Sequence, residues 1–203
     1  MSTDLLAAFI AFAFVMSGTP GPNVMLVLAS GVNHGFRATI PHMLGITIGF
    51  SVMLLAIGFG LGQVFAAFPA LYTVLKVVSV VYLSWLAWKL ASAAAIEVAA
   101  GEAAGRPMTF LEGAAFQWVN PKAWAICLSV VAAYTIPTQF LASIMTAATL
   151  FLAINLLCVA VWTAFGVALK RILQNRRWLR IFNITMALLL VASLIPLLLD
   201  RNP

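Results

Sequence analysis

Charge is scarce in this sequence. Its 203 residues hold eleven lysines and arginines, five aspartates and glutamates and two histidines. Soluble domains carry charge on about a quarter of their residues, against 8% here. With 64% of residues hydrophobic, a water-soluble globule would lack the polar surface to cover itself. The same figures exclude a disordered chain. Cysteine is scarce too. Cys127 and Cys158 fall in apolar stretches, where thiols behave as small hydrophobes, so neither a disulfide nor a metal site is expected. The chain has no nucleotide-binding glycine loop, metal-ligand cluster or nucleophile–base pair, and no catalysis and no cofactor are expected. The N-terminus lacks a basic n-region, and its apolar stretch is too long for a signal peptide, so the first segment is expected to remain as a span.

What the chain has instead is long charge-free runs. No Asp, Glu, Lys or Arg lies between Asp4 and Arg37, Arg37 and Lys76, Lys122 and Lys170, or Arg180 and Asp200. A bilayer-spanning helix needs about 20 predominantly apolar residues, so each run holds at least one span. The expected fold class is therefore an all-α polytopic membrane protein. Cutting at turn and charge signals gives six transmembrane helices, over about 5–30, 39–67, 70–89, 113–134, 141–169 and 179–199. One polar stretch, Ser92 to Glu112, is long enough to act as a linker. The chain is thus expected to be one membrane domain, with residues 1–92 a first three-helix repeat, 93–112 a cytoplasmic linker and 113–203 a second three-helix repeat. Because three is odd, the second unit enters from the opposite face, which makes the two an inverted pair.

The net charge of +6 does not point to nucleic acid, because the basic residues sit in short connections rather than on one face. They do set an orientation. Arg37, Lys89, Arg106, Lys170, Arg171, Arg176, Arg177 and Arg180 fall in the first, third and fifth connections, and Arg201 alone on the other side. Basic loops stay in the cytoplasm, so both termini are expected outside it. The expected surroundings are a lipid bilayer, and a homo-oligomer is left open.

The first helix of each half carries a proline break. In Ser17-Gly18-Thr19-Pro20-Gly21-Pro22-Asn23, two prolines remove backbone donors and two glycines loosen the rest. One half-helix should end near Gly18, and another begin with Thr19 or Gly21 as cap and proline first. In Trp118-Val119-Asn120-Pro121-Lys122, Asn120 reads as a cap and Pro121 as the first helical residue. Each break lies roughly 10 residues from one end of its span, hence about 15 Å deep at helical rise, near the midplane. Irregular backbone at that depth belongs where protein or a water-filled cavity surrounds it. Helix N-termini attract anions, and Lys122 adds a full positive charge. A substrate carboxylate would offset that charge. The expected substrate-binding residues are Thr19, Pro20, Gly21, Pro22, Asn23, Asn120, Pro121 and Lys122. Three others are secondary candidates. Lys76 is read mainly as snorkelling to the interface, His42 as an interfacial histidine able to carry protons, and Asn155 as bonding a neighbouring helix. Gly31/Gly35, Gly45/Gly49 and Gly58/Gly62 have the spacing for close helix packing.

At these residues the sequence resembles the LysE/RhtB family of amino-acid exporters. The resemblance rests on Thr19-Pro20-Gly21-Pro22-Asn23, on Gly45 and Gly49, on Lys76 followed by Tyr82-Leu83, and on Gly113 with Asn120-Pro121-Lys122-Ala123. It implies efflux of amino acids or similar metabolites across a bacterial inner membrane, driven by the proton gradient. The chain departs from the family pattern at Phe50-Ser51-Val52, where members often carry an acidic residue or histidine, and at Ala132-Ala133-Tyr134. The first departure leaves the coupling residue open. With no intramembrane acid for a cationic side chain, neutral amino acids are favoured as substrates. The competing readings are a membrane thiol-redox conduit and a passive small-solute channel. The conduit needs two cysteines that meet at the centre, and neither Cys127 nor Cys158 adjoins the Pro-Gly-Pro break.

Overall fold

A computed structural model of the chain describes residues 1–68, 70–100, 105–173 and 175–199. Among these the regular structure is entirely helical. Helix α1 (Thr3–Gly18) and α2 (Pro22–His34) form one bent segment, turned by 54° at the first proline break. Gly35, at φ 83°, makes the tight turn into α3 (Phe36–Ala56). A widened turn at Ile57–Leu61, with Gly60 at φ 122°, leads into the short α4 (Gly62–Ala67). Helix α5 (Ala70–Ala100) follows, then α6 (Phe110–Phe116), a tight turn over Gln117–Val119 and α7 (Pro121–Tyr134). Helices α8 (Phe140–Lys170), α9 (Arg176–Ala192) and α10 (Ile195–Leu199) complete the chain.

Three stretches are long and apolar enough to cross a bilayer, namely Phe36–Phe65, Ala70–Ser92 and Pro137–Lys170, and the bent α1–α2 pair makes a fourth. The other two expected spans are interrupted. Asn120-Pro121 splits one into α6 and the 14-residue α7, while α9 has 17 residues and is separated from α10 by a turn. The expected linker also begins later than its polar residues suggest. Helix α5 continues through it to Ala100, carried by alanines of high helix propensity. Residues 101–104 of that linker, and 200–203 at the C-terminus, lie outside the described residues.

The bent helices serve two cores. One gathers Phe9 of α1, Phe50 and Met53 of α3, Trp124 and Cys127 of α7, and Phe151 of α8. The other gathers Met25 of α2, Leu83 of α5, Phe116 of α6 and Leu190 of α9. Each broken segment therefore gives one half to each core. Backbones meet closely along two seams. On one, Gly31 faces the Thr163 carbonyl and Gly166 the Leu28 carbonyl, joining α2 to α8; on the other, Gly45 faces Phe110, Gly49 faces Ala114 and Gly113 faces His42, joining α3 to α6. Gly31, Gly45 and Gly49 thus pack as their spacing predicts. Gly35 instead serves the turn, because its positive φ is open to glycine at little cost. The outward faces of α5, α8 and α9 expose Val74, Val81, Trp88, Leu157, Phe165 and Leu188, an apolar surface suited to lipid.

Candidate substrate site at the two helix breaks

The first break forms as its residues dictate. Helix α1 ends at Gly18, and Thr19 is its cap, with its N–H bonded to the Val15 carbonyl at 3.0 Å. Gly21 is extended (φ −166°, ψ −178°), and α2 starts with Pro22 at its first position and no side-chain cap. The amides opening α2 are left available. The second break resolves the same problem differently. Asn120 is extended, and its Oδ1 accepts from the Lys122 N–H at 3.1 Å, so α7 carries its own cap. The two N-termini are thus not equivalent, and the Asn120 cap on α7 is the one expected from the sequence. The α2 end is open and the α7 end is partly occupied by Asn120.

Lys122 joins the breaks. Its Nζ donates to the Thr19 carbonyl oxygen and to Thr19 Oγ1, both at 2.9 Å, while the Thr19 hydroxyl donates to the Met16 carbonyl at 3.4 Å. The ammonium therefore sits at the C-terminal end of α1, where the helix dipole favours a cation. Its cost of burial is met in part by backbone, and one of its three donors stays uncommitted. The Lys122 stem passes so close to Gly21 that a Cβ there would lie 2.8 Å from Cδ. Trp162 Nε1 donates to the Gly18 carbonyl at 3.1 Å, holding the end of α1 from the other side.

Two cavities adjoin this junction, and Gly21 and Lys122 line both. The smaller, about 30 Å³, is walled by Ser17, Thr19, Asn23, Asn120 and Asn155 and closed by apolar groups including Phe50 and Phe151, whose rings stack at 4.3 Å. The larger, about 420 Å³, is lined by Pro20, Pro22, Lys76, Ser79, Pro121 and Trp124. All eight residues expected at the substrate site border one cavity or the other.

Of the secondary candidates, Asn155 lands differently from expectation. Asn155 is buried, lines the small cavity and makes no side-chain hydrogen bond among the described residues, so it does not tie α8 to a neighbour. Its side chain faces the cavity rather than a partner on another helix. His42 is 1% exposed, its ring nitrogens have no hydrogen-bond partner among the described residues, and its backbone packs against Gly113, which lets α6 approach; it lines a cavity together with Lys89 and Arg106. Lys76 lines the larger cavity together with Lys122. Cys127 and Cys158 are both free and share one core cluster.

Sequence reasoning missed Gln117. It is fully buried between the breaks, and its Nε2 donates to Asn23 Oδ1 at 3.1 Å and to the Gly113 carbonyl at 2.9 Å. Asn23 Nδ2 returns a bond to Gln117 Oε1 at 2.9 Å. This reciprocal amide pair ties α2 to the end of α6. Arg106 was read only as a topogenic charge, yet it grips Glu112 with two bonds of 2.7 Å, and Thr109 and Glu112 cap each other at the start of α6. The Arg106 guanidinium, aided by the Thr109 N–H, pulls the Glu112 carboxyl down to about 2.

Comparison with known proteins places the chain among transporters. A family model described as LysE type translocator matches residues 14–200. A cysteine/O-acetylserine efflux protein of Escherichia coli strain K12 is 31% identical over 195 residues, covering 94% of this chain and 96% of the relative. The protein of the same name from Shigella sonnei strain Ss046 matches to the same extent, and that of Escherichia coli O139:H28 is 30% identical over the same share. No solved structure matches the chain significantly.

Proposed function

This chain belongs to the LysE type translocator family, and we propose on that premise that it exports a small neutral amino acid or a closely related metabolite from the bacterial cytoplasm. It is a multi-pass membrane transporter rather than an enzyme. The observation that carries the finer reading is the Lys122 ammonium, held on Thr19 at the meeting of both breaks and bordering both cavities. In this reading the substrate carboxylate engages Lys122 and the open amides at the start of α2. Thr19, Pro20, Gly21, Pro22 and Asn23 supply one wall and Asn120 and Pro121 the other. The similarity to cysteine/O-acetylserine efflux proteins supports a short, uncharged side chain. So does the lack of any carboxylate lining the small cavity.

The proposed architecture is six spans in two inverted three-helix repeats, with the broken segments α1–α2 and α6–α7 in equivalent places. The division of each between two cores supports it. The proposed setting is the inner membrane with both termini outside the cytoplasm, and the proposed coupling is proton antiport. His42 is the candidate proton carrier, since its ring is buried with two free nitrogens.

The test is uptake of labelled amino acids into inverted membrane vesicles under an imposed pH gradient. Saturable uptake of small neutral amino acids, abolished when the gradient is collapsed, is expected. Flux that neither saturates nor depends on a gradient would make the protein a channel.

A further inference from the structure

Asn155 is an amide that the fold buries and leaves unused. It is 6% exposed, makes no side-chain hydrogen bond among the described residues, and lines the small cavity. Ser17 of α1 lines the same cavity, and its buried Oγ has no partner among the described residues. An unpaired polar group inside a protein is costly, and in a membrane span the alternative of an apolar residue is always at hand. Two such groups on one cavity wall are a provision for something that enters. Asparagine both donates and accepts, which suits a hydroxyl, thiol or carbonyl and gives a second cation no counter-charge.

Size narrows the occupant. At about 30 Å³ the cavity takes one or two non-hydrogen atoms beyond the backbone of an amino acid, not a whole one. The neighbouring cavity of about 420 Å³ has room for the rest, and Lys122 and Gly21 border both. Phe50, Phe151, Ile126 and Val159 line the same small cavity with apolar surface, which limits the length of side chain it can take.

We infer that Asn155 determines specificity by hydrogen-bonding the tip of a short polar side chain, while Lys122 holds the carboxylate at the other end. The substrate class is then a small amino acid whose β-carbon bears a hydrogen-bonding group. The inference rests on the transport reading above and sharpens it. Sites built to bond a hydroxyl discriminate strongly against the analogue that lacks it, because their own polar group is left unpaired.

The experiment compares serine with 2-aminobutyrate, whose ethyl group has the shape of serine's hydroxymethyl group, in proteoliposomes of the purified full-length protein. The wild type should prefer serine by about tenfold or more in kcat/KM, and Asn155→Leu should bring that ratio to about one. Asn155→Ala serves as a second variant should leucine disturb assembly, and the rise in melting temperature on adding serine reads binding without transport. Lys122→Met should weaken both substrates and leave their ratio standing. Equal wild-type handling of the two, or a ratio that Asn155→Leu and Asn155→Ala leave unchanged, overturns the inference while transport stands. Absence of both fluxes in the wild type overturns the transport reading and the inference with it.

Discussion

Lys122 is the charge on which the carboxylate reading turns. An isolated lysine at the bilayer centre costs about 2.5–3.5 kcal/mol on insertion scales, and the fold offsets this with two bonds to Thr19. Lys122→Met removes the cost along with the charge, so the amount of protein in the membrane should hold or rise. A charge-assisted hydrogen bond is worth about 1.5–3 kcal/mol, and about 1.4 kcal/mol is tenfold in affinity. Apparent affinity for every substrate should therefore fall by about one to two orders of magnitude in the vesicle assay. Lys122→Arg should recover little, because a broad planar head does not fit where the stem passes against Gly21. Lys76→Met is the control and should do less. An unchanged affinity in Lys122→Met beside a large loss in Lys76→Met would exchange the two roles, and no change in either would remove both from the carboxylate site.

Helices α2 and α8 meet along a seam where each presents a glycine to the other's backbone carbonyl, Gly31 to Thr163 and Gly166 to Leu28. Elsewhere in a helix, alanine for glycine gains about 1 kcal/mol. At Gly166 the added carbon meets a carbonyl oxygen that cannot swing aside, and overpacking costs about 1–3 kcal/mol. Gly166→Ala should lower the melting temperature of the detergent-purified protein, whereas Gly18→Ala, with open space around it, should not. A Gly166→Ala variant as stable as wild type would show that the seam is loose. The contrast also marks what could be read in the sequence. The ends of α1 and α2 were legible because proline and glycine act on their own backbone, and Gly18, Gly21 and Pro22 fall where that logic puts them. Gln117 was not legible. Its partner Asn23 lies 94 residues away, and only the packing of α6 beside α2 brings the two amides together. The emptiness around Asn155 was hidden likewise, since a mid-span asparagine looks the same whether it meets a helix or a cavity.

At the scale of the molecule, the basic connections gather at one end. His34 before the first turn, Lys89 late in α5, and Arg106 ahead of α6 line a single cavity of about 270 Å³, and Leu169, beside Lys170, packs on the same core as Met25 and Met108. The first and third connections are therefore neighbours in space, as alternating spans require. Arg37 lies just past the same turn, and Lys170, Arg171, Arg176, Arg177 and Arg180 extend the group around the start of α9. Positive loops are retained in the cytoplasm, so this end should face inward and Met1 outward. The inference is testable by cysteine labelling with a membrane-impermeant reagent. Cys127 and Cys158 are first replaced by alanine; both are buried apolar side chains, so transport should survive. A single cysteine at Ser2 should then react in intact cells, and one at Gly105, which lies in the third connection and is exposed, only after the cells are opened. Labelling of the Gly105 position from outside would invert the whole assignment. The cavity at Lys89 and Arg106 would then face outward, and the vesicle experiment would have to be read in the opposite sense.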